Sequence, residues 1–382
     1  MIEYTEQDIL RLGKRHNNKK RTYLLINPLQ SKHIPAAPSD SLNMMKTLGE
    51  KVAKKHPNAR LVIGFAETAT AIGAVVASCL TDECIYIHTT REEFENISNW
   101  VEFSEEHSHA VEQKLYAEDL CFYIANTAEI ILVDDELSTG KTLINITHQL
   151  KETCPELKSK RIVAASIINR LTDTNIDRLR SEGIECEYLV KLPEIDYTNA
   201  VKSIEISSPI DLTKEQQSSC MPVEEITLTK RFLDPRMGVL IREYNLFCKD
   251  IAQEICQKIK NKVLCTDNML VLGTEEFMYP AIMTALEIEH QHIANSVRCH
   301  STTRSPIGIN NSDDYPIKEG YKIPSFYDSS RETYIYNLKK YDKIIIITDS
   351  CGDSAAAISK LSMALTRYGN EDIIYIRGGR HV

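Results

Sequence analysis

The sequence predicts an α/β protein with two tandem Rossmann-like parallel sheets, the second a degenerate copy of the first. Two observations carry this prediction. Short apolar, β-branched runs alternate with helical patterns along the 382-residue chain, which is typical of parallel strands covered on both faces. Blocks of the first half also recur in the same order in the second half, which indicates a repeated unit.

The strands and helices of the first half are predicted from these runs. A short strand at Tyr23–Ile26 precedes a Pro-rich loop at 27–41 and a helix from about Leu42 to Lys55. The segment 93–118 is charged and irregular. Further blocks are predicted as strand, turn and helix at 61–80, as strands at 84–92, 130–133, 161–170 and 186–192, and as a helix at 173–182.

Four blocks of the second half resemble blocks of the first. The matching pairs are 269–289 with 61–80, 296–304 with 84–91, 343–365 with 129–150, and 372–380 with 161–170. The polar stretch between the halves predicts a linker. We therefore expect a first domain at 1–195, a connecting segment at 196–235 and a second domain at 236–382. The halves are expected to form an intrachain pseudo-dimer. Whether the chain also forms a homo-oligomer is left open.

Composition restricts the class of protein. The net charge of −9 gives no basic footprint for nucleic acid, so a small-molecule partner is expected. The first residues lack the apolar core of a signal peptide, and no apolar run approaches a membrane span. The eleven cysteines show no pairing pattern, which favours a reducing cytoplasm over a disulfide framework or a zinc site.

The segment 130–142, IILVDDELSTGKT, carries the strongest chemical signal. A buried strand delivers Asp134 and Asp135 to its carboxyl end, where two carboxylates can accept hydrogen bonds from vicinal hydroxyls. A hydroxyl- and glycine-bearing turn then opens a helix, whose free amides and dipole favour phosphate. The alternative is a plain strand–turn–helix junction capped by Ser or Thr. A Walker loop is disfavoured because position 135 is Asp, not Gly.

This segment resembles the ribose-5-phosphate loop of type I phosphoribosyltransferases, which use phosphoribosyl pyrophosphate (PRPP). The resemblance implies that Asp134 and Asp135 hold the ribose hydroxyls. It also implies Mg²⁺ as cofactor, bound through these two acids directly or by water. The residues implied to cup the 5′-phosphate are Leu137, Ser138, Thr139, Gly140, Lys141 and Thr142.

The resemblance extends to the second half through TTRSP at 302–306. This string is similar to the motif of a bacterial family that joins a phosphoribosyltransferase domain to a C-terminal TRSP domain, encoded in tellurium-resistance gene clusters. In an ungapped alignment, Asp349-Ser350 stands where the first half has Asp134-Asp135, and Ala355 stands where it has Gly140. A single active phosphoribosyl site, in the first half, is therefore expected.

Other candidates surround this site. The family's pyrophosphate loop corresponds to 64–73, which implies pyrophosphate contacts from Ala66, Glu67 and Thr68, and Arg91 can pair with phosphate bidentately. A helix-start acid and a surface ion pair are the alternatives for Glu67 and Arg91. His107 and His109 are candidate acid/base groups, with a solvated loop as the alternative. The candidates for the acceptor or for the second domain are Lys32, His33, Glu276, Arg304 and Ser305.

The sequence thus predicts a cytoplasmic phosphoribosyltransferase of nucleotide metabolism. It would use PRPP and Mg²⁺ to transfer ribose 5-phosphate to a nucleobase-like acceptor, with release of pyrophosphate. Two alternatives stay open. One is a regulatory protein that binds PRPP or a nucleotide without catalysis, and the other is reverse or hydrolytic release of a base from a nucleotide.

Overall fold

The computed structural model describes residues 2–18, 21–92, 100–103, 113–116, 118–215, 223–350, 352 and 354–378. The strands are β1 (Arg11–Lys14), β2 (Tyr23–Ile26), β3 (Ala59–Gly64), β4 (Ile85–His88), β5 (Trp100–Phe103), β6 (Gln113–Tyr116), β7 (Glu129–Leu137), β8 (Arg161–Asn169), β9 (Ile184–Lys191), β10 (Ile210–Asp211), β11 (Glu224–Thr227), β12 (Val239–Leu240), β13 (Asn268–Gly273), β14 (Ser296–Ser301), β15 (Gly320–Pro324), β16 (Glu332–Tyr336), β17 (Lys343–Thr348) and β18 (Ile373–Arg377). The helices are α1 (Glu6–Ile9), α2 (Pro38–Lys55), α3 (Thr70–Cys79), α4 (Leu120–Ala125), α5 (Lys141–Thr153), α6 (Asp173–Ser181), α7 (Tyr197–Ala200), α8 (Ile241–Ile259), α9 (Tyr279–His290) and α10 (Ala355–Thr366).

The chain divides into two compact units whose boundaries differ from those predicted. The first unit contains Leu42–Ile195 and Leu233–Phe247, together with the start of the chain. The second contains Gln7–Ser41, Asp196–Phe232 and the chain from residue 248 onward. The difference arises from backbone pairing between segments that are far apart in the sequence. The β1–β2 hairpin and the loop after it bond to second-unit backbone, and β12 pairs with β4 of the first unit.

The first unit is built on a six-stranded sheet with the order β12-β4-β3-β7-β8-β9. All its strands run parallel except β12, which lies antiparallel at the edge. The central strands are buried almost throughout, as their continuous apolar runs predict. Helix α5 packs its apolar face on this sheet through Leu143, Ile146 and Leu150.

The second unit contains a five-stranded parallel sheet with the order β11-β18-β17-β13-β14. Four of its strands correspond, in sheet order and chain order, to β8, β7, β3 and β4. The fifth position corresponds to β9, but β11 comes from the connecting segment and precedes the other strands. The expected pair of tandem α/β parallel sheets is therefore confirmed. Degeneracy of the second as a ligand site stays a prediction.

Strand register corrects the alignment of the repeat by one residue. Ile63 precedes Gly64 and pairs with Leu132, whereas Leu272 precedes Gly273 and pairs with Ile346. Leu132 therefore corresponds to Ile346. The counterparts of Asp134 and Asp135 are then Thr348 and Asp349, not Asp349 and Ser350. Helices α5 and α10 obey the same offset, so the counterpart of Gly140 is Ser354, not Ala355.

One disulfide joins Cys121 to Cys154 in the first unit, which corrects the expectation of unpaired thiols. The two residues are 33 positions apart, and the packing of α4 against the 3₁₀ turn at Pro155–Ser159 brings them together. Local spacing could not reveal this contact. Among the described residues, no helix combines the length and apolarity needed to cross a bilayer. The cytoplasmic location stays a prediction.

Candidate functional site

The candidate site lies at the carboxyl ends of β3, β4 and β7 in the first unit. These three strands are neighbours and parallel, so their carboxyl ends meet at one edge of the sheet. Strand β7 continues in extended form through both acids to Leu137 instead of ending at Val133. The loop after β3 therefore lies beside the two carboxylates, and the loop after β4 lies at the same edge one strand further away.

Asp134 and Asp135 are both partly exposed at this edge. The backbone N–H of Asp135 donates to Oδ1 of Asp134 at 2.9 Å. Thr68, from the loop after β3, donates its hydroxyl to Oδ1 of Asp135 at 2.9 Å. The two acids are thus oriented by neighbours, and one of these bonds joins the end of β7 to the loop after β3.

The turn after β7 is tighter than the predicted loop at 137–142. Leu137 belongs to the strand, because its side chain is buried in the core and its carbonyl accepts from Arg170 N at 2.9 Å. The turn proper is 138–140, and Gly140 caps α5 with a φ of 75°. Lys141 and Thr142 form the first turn of the helix. The arrangement presents backbone amides at the start of a 13-residue helix, which is a geometry suited to phosphate.

The predicted pyrophosphate loop is held by buried side chains that the sequence analysis missed. Thr89 accepts from the Ala66 N–H at 2.8 Å, and Gln113 donates from Nε2 to the Ala66 carbonyl at 2.9 Å. Thr89 also donates to the Gln113 side chain. Thr89 lies inside the HTTR string, but the irregular pattern around Gln113 gave no signal. The peptide bond between Ala66 and Glu67 is cis.

The remaining predicted pyrophosphate residues lie at the same edge. Glu67 and Thr68 are partly exposed in the loop after β3, and Arg91 is partly exposed three residues beyond the end of β4. Glu92 N–H donates to Thr90 Oγ1 at 3.0 Å, which tightens the chain around Arg91. The geometry therefore brings together the strand-end acids, the helix start and the predicted pyrophosphate residues.

An ion pair of low solvent exposure lies next to the two acids, and the sequence analysis also missed it. Arg170 Nε lies 2.7 Å from Glu136 Oε1, and their side chains are 16% and 9% exposed. Glu136 is the third acid of the DDE run. The sequence shows this acid but gives no indication of the cation that contacts it. The partner comes from the end of the neighbouring strand β8, which only the sheet register brings close.

The candidates for the acceptor or the second domain all lie in the second unit, at the corresponding edge of its sheet. Lys32 is fully buried and donates to the Glu275 carbonyl at 2.6 Å. Arg304 contacts the Glu275 carboxylate at 2.6 Å and Glu276 at 3.9 Å. His33 is buried, and the Ser305 carbonyl accepts from Tyr336 OH at 2.8 Å. Their role toward an acceptor stays a prediction.

His107 and His109 lie outside the described residues. Within the described part of the chain, no cluster of three or more His, Cys, Asp or Glu side chains has the arrangement of a protein-only metal site. Asp134 and Asp135 offer the oxygen atoms that Mg²⁺ prefers, and this ion commonly binds one or two carboxylates together with substrate phosphates. Their donor chemistry therefore fits the expected cofactor.

Comparison with solved structures gives phosphoribosyltransferases of low similarity. Adenine phosphoribosyltransferase from Trypanosoma brucei is 14% identical over 48% of this chain and 76% of its own, with a TM-score of 0.35. The enzyme from Leishmania tarentolae is 14% identical over 49% and 85%, also with a TM-score of 0.35. Orotate phosphoribosyltransferase from Aeropyrum pernix is 14% identical over 49% and 89%, with a TM-score of 0.30. TM-scores in this range carry no argument about function.

Comparison with curated proteins gives no match. Comparison with family models is decisive. Residues 9–193 match a phosphoribosyl transferase family, and residues 234–365 match the TRSP domain that lies C-terminal to it. The two matches follow each other in the order that the VDDELSTGKT and TTRSP strings predict, and they confirm the transferase class. The chain therefore belongs to the phosphoribosyltransferase family whose members carry a C-terminal TRSP domain.

Proposed function

We propose that this protein transfers ribose 5-phosphate from PRPP to a small, nucleobase-like acceptor and releases pyrophosphate. The observation that carries the proposal is the hydrogen bond from Thr68 to Asp135. It joins the loop that would hold pyrophosphate to the acids that would hold ribose. These are adjacent parts of one PRPP molecule, and the direct contact between the two loops supports their binding a single ligand together.

The 5′-phosphate would bind at the start of α5. Gly140 turns the chain with a positive φ at the start of α5, whose first-turn amides have no acceptor within the helix. One of them, the Lys141 N–H, donates to Thr139 Oγ1 at 3.4 Å. Ser138, Thr139 and Thr142 are partly exposed there and can donate hydroxyl hydrogen bonds to phosphate oxygens. Lys141 is exposed and adds positive charge. Helix dipole, amides and charge thus all favour a dianion at this end of the ribose.

Ribose and pyrophosphate would occupy the rest of the edge. Asp134 and Asp135 would accept hydrogen bonds from the two vicinal hydroxyls, and their charge would favour a transition state in which the sugar becomes cationic. The Ala66–Thr68 loop and Arg91 would contact the pyrophosphate. Glu67 opposes an anion at this place, so the pyrophosphate charge has to be balanced by Arg91 and by a bound cation.

The transfer exchanges one bond for another at the anomeric carbon. The bond to pyrophosphate breaks with its electron pair on the departing oxygen, while an acceptor lone pair forms the new bond. The acceptor then loses a proton, for which His107 and His109 stay candidates. Mg²⁺, which Asp134 and Asp135 would hold directly or through water, would neutralise charge on the leaving pyrophosphate.

The test compares PRPP binding and turnover in matched variants. The native chain is expected to bind PRPP in the presence of Mg²⁺ by calorimetry and to release pyrophosphate with one member of a nucleobase panel. Asp134→Asn with Asp135→Asn is expected to weaken PRPP binding by roughly 10²- to 10⁴-fold, because two charge-assisted hydrogen bonds are lost. Asp349→Asn, at the position of the second unit that corresponds to Asp135, is the control and should leave binding unchanged.

The outcomes separate the open functions. No PRPP binding by the native chain, or binding unaffected by the double substitution, would contradict the proposal. Binding without turnover over a broad acceptor panel would instead favour a regulatory protein. Release of a base from a nucleotide, without net transfer from PRPP, would favour the reverse or hydrolytic reaction.

A further inference from the structure

Ala66 of the first unit and Glu275 of the second occupy equivalent positions. The Ala66 N–H donates to Thr89 Oγ1 at 2.8 Å, and the Glu275 N–H donates to Thr302 Oγ1 at 3.0 Å. Around them, Thr89 N–H donates to the Gly64 carbonyl and Thr302 N–H to the Gly273 carbonyl. The same correspondence matches Arg91 with Arg304, two residues beyond each threonine. The side chain at this point is a methyl group in one unit and a carboxylate in the other, and the backbone differs as well, since Glu275 has a positive φ of 46°.

The Glu275 carboxylate is sealed inside the second unit. Its side chain is 0% exposed, and it accepts hydrogen bonds from Arg304 Nε at 2.6 Å and from the Ser325 hydroxyl. Lys32, also fully buried, donates to the carbonyl of the same residue at 2.6 Å. A buried carboxylate of this kind persists only when cations and donors surround it. The second unit thus has the cations and donors of an anion-binding site, and the Glu275 carboxylate is the anion that they contact.

We propose that Glu275 is an internal anion that closes the second unit's counterpart of the pyrophosphate site. Arg304 then neutralises Glu275 and is not available to a diphosphate, which a buried carboxylate would also repel. The second unit is consequently not a second phosphoribosyl site. This inference rests on the proposed function in one respect, because it takes the loop after β3 as the pyrophosphate site of the first unit.

The residues on either side of Arg304 in the TRSP motif support this assignment, because their backbone groups are hydrogen-bonded within the second unit. Thr303 exchanges two backbone hydrogen bonds with Tyr334 of β16, at 2.8 and 2.7 Å. The Tyr336 hydroxyl donates to the Ser305 carbonyl and accepts from the Ile307 N–H, both at 2.8 Å. The motif is therefore fixed on the β15–β16 hairpin on both sides of Arg304, which presents the guanidinium to Glu275.

The first experiment empties the site in the full chain. Glu275→Ala gives the second unit the residue found at this position in the first. Calorimetry then measures how many pyrophosphate ions bind per chain. The expected result is one more pyrophosphate per chain than the native protein binds. Glu275→Gln keeps the side-chain volume and should add no site. A folded Glu275→Ala chain that binds no additional pyrophosphate at millimolar concentration would overturn the proposal.

A second readout covers loss of folding in Glu275→Ala, which removes the carboxylate that the Arg304 guanidinium contacts. Pyrophosphate or phosphate at millimolar concentration is expected to raise the Tm of this variant by several degrees more than that of the native chain. The double variant Glu275→Ala with Arg304→Met removes the charges of Glu275 and Arg304 together and should lose this extra shift. An anion effect equal in the native chain and in Glu275→Ala would contradict the assignment.

The reverse substitution checks the equivalence from the other side. Ala66→Glu introduces a carboxylate at the position that corresponds to Glu275 and is expected to weaken PRPP binding at least 100-fold, with Ala66→Gln as the uncharged control. Native-like affinity in Ala66→Glu would contradict the equivalence. If the native chain binds no PRPP at all, the proposed function fails, while the count of additional sites in Glu275→Ala still decides the role of Glu275.

Discussion

Thr68 donates a hydrogen bond to Asp135 at 2.9 Å and thereby links two loops that are 67 residues apart in the chain. One loop follows β3 and the other belongs to the end of β7, which is its neighbour in the sheet. In the second unit, the counterpart of Asp135 is Asp349, which accepts from Tyr327 OH at 2.5 Å. An acid held by a hydroxyl at the strand end is thus common to both units, but the donors come from different elements.

Replacing Thr68 with Val is expected to weaken PRPP binding about fivefold, because a single hydrogen bond that orients Asp135 contributes roughly 1 kcal/mol. Calorimetric titration with PRPP and Mg²⁺ measures the change. Thr213→Val is the control, since Thr213 also donates to an aspartate, Asp211, but lies in the second unit. Equal loss of affinity in both variants would show that the Thr68–Asp135 bond has no particular role in the site.

Gly140→Ala is expected to lower both stability and PRPP affinity. Its φ of 75° disfavours any side chain, and an added Cβ would lie 3.0 Å from Leu179 Cδ1. We expect a loss of about 1–2 kcal/mol from the backbone conformation alone, measured by urea unfolding. Gly183→Ala is the matched control, because its φ is 77° and nothing lies within 4 Å of its Cβ. It should lose similar stability and keep PRPP affinity, and equal affinities in the two variants would contradict a role for the Gly140 turn.

The sequence predicted the elements that a short continuous stretch of residues determines. The run 130–142 displayed its strand, its acids and its helix start, and the structure differs mainly in extending β7 to Leu137. The repeat was visible for the same reason, since four apolar blocks recur in order. Its alignment was wrong by one residue because Asp349 matched the wrong acid of the pair, and only strand register fixes which acid corresponds.

Long-range contacts could not be predicted. Gln113 holds the Ala66 carbonyl from a distance of 47 residues, and no pattern around it indicates a partner. The pairing of Cys121 with Cys154 depends in the same way on packing between separate elements. The assignment of Gln7–Ser41 to the second unit also follows from pairings such as Ala36 with Cys299, which one sequence without its fold does not reveal.

Arg170→Met is expected to destabilise the first unit by about 1–3 kcal/mol, because it removes the cation that contacts the partly exposed Glu136 carboxylate. Urea unfolding measures the loss. Adding Glu136→Leu should restore much of the stability, since both charges are then absent. The free energy of unfolding lost on Glu136→Leu alone is measured as well. If the losses of the two single variants add up in the double variant, the two side chains are not coupled.

Stability of the second unit is expected to fall as the pH drops from 6.5 toward 4, because of His300. Burial lowers the pKa of this imidazole from its ordinary value of 6.5 to about 4, and the charge of Lys32 adds to the effect, while the hydrogen bond to the Tyr336 carbonyl opposes it. The unfolded chain therefore binds the proton more readily in this window. Stability is complete above pH 6.5 and decreases by about 3 kcal/mol on the way to pH 4.

Substitution of His300 isolates this contribution from the other groups that titrate on acidification. Urea unfolding at pH 7.5 and at pH 4.5 is compared between the native chain and His300→Gln, which keeps a polar side chain but no group that titrates. The variant should lose less stability than the native chain between the two pH values. His290→Gln, at an exposed position on α9, should keep the native difference. The buried imidazole is not the source of the acid sensitivity if His300→Gln and His290→Gln respond alike.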